Sequence, residues 1–372
     1  MKEWVKFLVL VAAFILFYFA PVGSAVVVSS ISAGLILLQE YARLHVLTCL
    51  VPAFFIAGTI AVYVKKDAVM KLLGPTTKKY IAYPVGSISG GILAVCSCTI
   101  LPLFTGIYKR GAGIGPAIAF LFTGPAINVT AILLTGSVLG WDFAVGRLVA
   151  AMVISILAGL LMAFVFREHD RKTTENNFAT GLESDVPYSN LTVSLFFVLQ
   201  LAVLVIFGLS MDSALKAILI ILLILSIVGI VIFKFRREHT LEWLRETWSL
   251  TKKIMPYLFV GVFIAGMIET LIPPDVVVRL VGENTILANA IASTFGAFMY
   301  FATLTEVPII QKLMGLGMGR GPALTLFLTG NALSLPSMIV LFKIMGKKQA
   351  SVYILTIVIL SLLAGWLFGE IL

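Results

Sequence analysis

The sequence predicts an all-α polytopic membrane protein with inverted-topology repeats, two opposed broken or re-entrant helical hairpins and about nine full spans. Three observations predict it. Hydrophobic residues make up 60% of the 372 residues and charged residues only 12%, at a mean hydropathy of +1.07, whereas soluble domains carry about 25% charged residues. Glycine and proline interrupt two apolar segments, 79–108 and 286–311, that are each long for one span. A gap-free internal repeat relates the two halves of the chain. The net charge of +9 sits in short loops between apolar runs, which is the pattern of positive-inside topology and not of a nucleic-acid-binding surface.

The start of the chain, with Lys2, Lys6 and the apolar run Phe7 to Ala20 before Gly23-Ser24-Ala25, resembles a signal peptide. It is read as a retained first span because many spans follow. Full spans are placed at 4–21, 46–64, 116–136, 146–166, 191–210, 214–233, 253–272, 322–342 and 350–369. Residues 22–40 fit either an interfacial helix or an additional span, and the interfacial helix is preferred. Residues 167–190 are the least apolar stretch and read as a flexible loop. The expected organisation is therefore a first membrane repeat at 1–166, a loop and linking span at 167–213, and a second, inverted repeat at 214–372.

The repeat is direct. GIGPAIAFLFTGPAINV at 113–129 aligns with GRGPALTLFLTGNALSL at 319–335, matching Gly115-Pro116-Ala117 with Gly321-Pro322-Ala323 and Thr123-Gly124 with Thr329-Gly330. The same offset pairs Pro102 with Pro308 and Gly90 with Gly296, and these four are expected to break the helices of the two hairpins. Lys65, Lys66, Lys71, Lys78 and Lys79 before the first hairpin and Lys109-Arg110 after it put both its ends on the cytoplasmic side. The second hairpin has a nearly neutral approach, with the basic clusters one span away on either side, so its ends fall on the external face. The N-terminus is then cytoplasmic and the C-terminus external.

Chemistry concentrates at the first break. Cys96-Ser97-Cys98 precedes Pro102, which cannot donate to the Cys98 carbonyl. Thiolate is a soft ligand suited to thiophilic centres. Residues two apart on a helix point roughly 200° apart, so Cys96 and Cys98 face one ligand only where the chain unwinds. Cys49, alone in its span, is read as a small packing hydrophobe. Glu306, two residues before Pro308, is an intramembrane acid expected to face a cavity near the thiols, and no basic residue lies three or four positions from it. Thr123, Asn128, Thr305, Thr329 and Asn331 complete the candidate substrate-binding set. No metal site and no cofactor are expected.

The Cys-Ser-Cys-x-x-x-Pro break and the duplicated Gly-Pro-Ala…Thr-Gly-[Pro/Asn]-Ala segment resemble the YraQ/ArsP-type (UPF0718/DUF318) predicted permeases over nearly the whole chain. The resemblance implies an efflux permease of the cell membrane for trivalent organoarsenicals such as methylarsenite. It points to Cys96, Ser97 and Cys98, then to Asn128, Glu306 and Asn331, as site residues, and to a thioredoxin-like protein as a redox partner.

Three function classes follow: a secondary permease for a small thiophilic or anionic solute, a membrane thiol-disulfide protein, and a channel. The first accounts for the repeat, the opposed breaks, the paired thiols and Glu306. Ala302 and Leu304 stand where the second half would carry thiols, so a cysteine from each half cannot pair across the symmetry axis. No Walker A motif is present, and an enzyme is not expected.

Overall fold

The computed structural model describes Trp4 and residues 24–64, 66–74, 77–93, 96–168, 188–208, 212–271, 280–300 and 306–371. Among them every regular element is helical. The predicted first span at 4–21 lies outside the described residues apart from Trp4, as does most of the predicted loop at 167–190.

Helix α1 (Ala25–Tyr41) is capped by Ser24, whose hydroxyl accepts from the Val27 amide at 3.3 Å. It passes without a stop through a π-helical segment (Ala42–Leu50) into α2 (Val51–Tyr63), giving one helix of 39 residues. The described part of the segment, residues 24–40, therefore belongs to a long apolar helix and is not a separate interfacial helix. Their sequence lacks the amphipathic contrast of one, and Gly34 faces Gly266 so closely that the backbones of α1 and a later helix, α11 (Arg237–Leu271), pack together.

A short α3 (Lys66–Leu73) leads to α4 (Lys79–Leu93) and α5 (Ser97–Lys109), the two helices of the predicted first hairpin, which pack on other helices more than on each other. Then come α6 (Ile114–Ala126), α7 (Val129–Leu139) and α8 (Trp141–Val165). After α9 (Asn190–Gly208), α10 (Ser213–Lys234) and α11, the pattern recurs as α12 (Ile286–Phe298), α13 (Glu306–Gly315), α14 (Arg320–Ala332), α15 (Leu335–Ile344) and α16 (Lys347–Ile371). Bounds repeat at one spacing: Arg320 starts α14 206 residues after Ile114 starts α6, and Lys347 stands at the same offset from Trp141. Gly140 and Gly346, at φ +107° and +84°, open α8 and α16 from a left-handed backbone that a side chain would strain.

Two of the predicted spans are bent. α6 and α7 meet at 48° and α14 and α15 at 46°. Pro125 ends the last turn of α6, and Pro336 sits in the first turn of α15, where its missing amide costs nothing. Five described helices are long and apolar enough to cross a membrane, or seven spans form if each bent pair counts as one. The 191–210 span is represented by a shorter apolar helix, Leu191–Phe207.

The four expected breaks fall elsewhere. Pro102 lies inside α5 and Pro308 inside the first turn of α13, while Gly90 and Gly296 are helical. The chain unwinds before Pro102, at Cys96 (φ −74°, ψ 166°), so the proline costs α5 a single early hydrogen bond. The two glycines serve packing instead. Gly90 backs onto Phe120 and Gly124, and Gly296 onto Leu326 and Gly330, the same helix-on-helix contact in each half.

Contacts between the halves exchange reciprocally. α5 packs on α15 and α13 packs on α7, while α6 meets α14 and α8 meets α16. α5 and α13, the helices that follow the two predicted breaks, thus each rest on the bent pair of the opposite half.

Candidate functional site

At the first break, Cys96 is the N-cap of α5, and its carbonyl accepts from the Thr99 and Ile100 amides at 3.1 Å each. Its thiol lies 2.9 Å from the Thr99 hydroxyl. Ser97 and Cys98 are already helical, so the two motif thiols diverge as helical spacing requires. Cys98 is buried in the neighbourhood of Tyr41 and Tyr300, whose rings meet edge to face at 5.8 Å. Cys96 neighbours Cys49 on the π-helical segment, with His45 close by. His45 stacks on Tyr41 at 5.5 Å between ring centroids. All three cysteines are free thiols, and among the described residues no group of three or more His, Cys, Asp or Glu side chains is set to hold a metal ion.

A second polar cluster lies at the start of α13. Glu306 opens α13 fully buried, and its partner comes from the opposite half: Arg147 on α8 donates from Nη2 to Oε2 at 3.3 Å, with both side chains 1% exposed or less. Asn331 at the end of α14 donates to the same oxygen at 2.9 Å. Arg147 also donates from Nη1 to the Thr135 hydroxyl on α7 at 3.0 Å and lies over the Phe327 ring at 4.5 Å. Glu306 Oε1 is buried with no hydrogen-bond donor among the described residues. Burying two ions costs several kcal/mol each before their attraction repays it, so a half-satisfied pair in the packed interior is retained at an energetic cost.

The candidate residues thus divide. Glu306 and Asn331 come together, and their hydrogen-bonding partners include no thiol. Asn128 is buried at the bend between α6 and α7. Thr123 bonds back to the Ala119 carbonyl at 2.9 Å and abuts Gly90, and the Thr329 hydroxyl pairs with Ser293 at 3.0 Å, so both threonines serve helix contacts. Thr305 lies outside the described residues. Two residues were missed by sequence reasoning. Arg147 was legible as a lone cation within an apolar span, but its partner is 159 residues away. Cys49 gave no signal beyond its residue type.

A family described as predicted permease matches the chain over residues 30–370. The chain belongs to this ArsP-type predicted permease family. It is therefore a multi-pass membrane protein of a permease family. A UPF0718 protein of Methanocaldococcus jannaschii is 45% identical over 346 residues, covering 90% of this chain and 94% of its own. The UPF0718 protein YraQ of Escherichia coli is 24% identical, covering 83% of this chain and 74% of its own. A Streptococcus mutans protein named as a subunit of a two-component membrane permease complex is 33% identical over 116 residues, 31% of this chain and 38% of its own. No solved structure matches the chain.

Proposed function

We propose that this permease is a secondary transporter moving a small thiophilic solute of the trivalent organoarsenical type outward across the cell membrane, with its site at the Cys96-Ser97-Cys98 break. In this reading residues 1–166 and 214–372 are inverted halves joined through 167–213. The observation that carries it is the break itself. The chain leaves the helix at Cys96, whose soft thiol stands at the freed position, with the Cys98 thiol two residues on near Tyr41 and Tyr300, a surrounding suited to a neutral thiophilic solute and poorly suited to a hard cation. The Arg147–Glu306 pair supports relative motion of the halves, because its two ions belong to different halves and one carboxylate oxygen is left free to exchange partners.

The test is flux in proteoliposomes of methylarsenite and of an oxyanion by the wild type, Cys96→Ser and Cys98→Ser. Serine keeps the size but is a poorer soft ligand, so arsenical flux should fall in at least one of the two variants and oxyanion flux should not appear. Undiminished arsenical flux in both variants would reject the thiol site.

The contact of Cys96 with Cys49 favours one other reading, a thiol-disulfide protein working with a thioredoxin-like partner. Loss of reductant-sensitive mass tagging on oxidation, without any flux, would select it. The relative named as a complex subunit supports a second membrane subunit for this chain, tested by co-purification of the tagged protein from native membranes.

A further inference from the structure

The motif's two cysteines do not share a neighbourhood, whereas Cys96 and Cys49 do. Cys49 is carried on a π-helical segment, a turn geometry that is rare and concentrated at functional positions. That segment packs on α5, and across this contact Cys49 and Cys96 are electrostatic neighbours, each the strongest influence on the other. Hydroxyls flank both thiols: Thr99 lies 2.9 Å from Cys96 Sγ and Thr48 lies 3.6 Å from Cys49 Sγ. Neither thiol is sealed in the core, since both are half-buried, while Cys98 is fully buried against Tyr41 and Tyr300. Chain geometry gives the reason. Cys96 is the last extended residue and Cys98 the second helical one, so a single ligand atom cannot sit between them without unwinding α5, whereas two thiols on separate helices approach one atom from opposite sides.

We infer that Cys49 and Cys96 form the bidentate dithiol of this protein, closing on a single thiophilic atom, and that Cys98 is a packing residue behind them. The inference rests on the proposed thiophilic cargo for its biological use but not for its chemistry. In the binding step two arsenic–oxygen bonds are exchanged for two arsenic–sulfur bonds. Each thiol proton leaves on the departing oxygen as water, and arsenic stays trivalent throughout. The hydroxyl of Thr99 beside Cys96 is placed to assist that proton's departure.

Phenylarsine oxide, whose arsenic offers two exchangeable valences, is the probe. The purified full-length protein in detergent is titrated with it, and the remaining free thiols are labelled with a maleimide and mapped by peptide mass. In the wild type Cys49 and Cys96 should be protected and Cys98 labelled after mild unfolding in the presence of the probe. Cys98→Ser should bind as the wild type does. Cys49→Ser and Cys96→Ser should each bind on the order of a hundredfold more weakly, since the second bond loses its intramolecular advantage. Protection of Cys96 together with Cys98, or full affinity in Cys49→Ser, would overturn the pairing, as would the absence of any protection in the wild type. The wild-type map needs no variant to fold. Arsenical flux that survives Cys49→Ser but not Cys98→Ser would reject the pairing and leave the permease reading standing. A Cys49–Cys96 adduct in a protein that moves no arsenical would do the reverse.

Discussion

The guanidinium of Arg147 and the carboxylate of Glu306 meet at 3.3 Å although 159 residues separate them in the chain. Each is on a helix of a different half, and each is as buried as the surrounding leucines. The pair ties α8 to α13 at the point where α13 rests on the bent α6–α7 helix pair of the opposite half.

Glu306→Gln should destabilise the protein by about 3–5 kcal/mol, because it leaves the Arg147 cation buried without its counter-ion. Adding Arg147→Gln should recover a substantial part of that loss, since no unpaired charge remains. Unfolding followed in detergent against denaturant measures all three proteins. A single variant as stable as the wild type would show that the pair is not ionised in the folded state.

Arg147→Lys keeps the charge but not the fork that reaches Thr135 and Glu306 together. It should therefore lower flux in the proteoliposome assay while costing less stability than Arg147→Gln. Equal losses in the two variants would reduce the role of Arg147 to its charge-independent packing on Phe327.

Gly90→Ala should be worse than Gly296→Ala. A methyl group at 90 would come within 2.6 Å of the Phe120 carbonyl oxygen on a rigid helix, whereas at 296 the nearest atom is the Leu326 Cδ1 at 3.1 Å, which can rotate away. A cost of about 1–3 kcal/mol is expected at 90 and less at 296. Thermal unfolding of the two purified variants gives the order.

Gly346 isolates backbone strain from crowding. Its φ of +84° disfavours any side chain, yet nothing lies within 4 Å of where a Cβ would stand. Gly346→Ala should cost about 1–2 kcal/mol and Gly346→Asn less, because asparagine tolerates the left-handed region. Equal stability of all three would mean that the turn before α16 relaxes.

The inverted arrangement predicts opposite labelling of the hairpins. In a cysteine-free background, Lys79→Cys and Lys109→Cys should react with an impermeant maleimide from the cytoplasmic side, and Ile286→Cys and Gly315→Cys from the external side. Labelling of 79 and 109 from opposite faces would make α4 and α5 a full crossing and remove the inversion.

The sequence by itself determined the class of protein and the duplication. Composition excludes water on most helix faces, and identical letters at one offset, such as Gly115-Pro116-Ala117 and Gly321-Pro322-Ala323, start α6 and α14 in the same way because local steric rules act on local sequence. It also exposed the thiol break and Glu306 as exceptional, since soft ligands and acids are costly or rare in apolar runs. What it left open was pairing. Whether Pro102 or Cys96 ends the helix depends on a single hydrogen bond balanced against packing. Arg147 finds Glu306, and Cys49 finds Cys96, only because α8 docks on the opposite half and the π-helical segment docks on α5. Those contacts are made between helix faces distant in the chain. No residue spacing records them, and only the packed tertiary structure brings the four side chains to their partners.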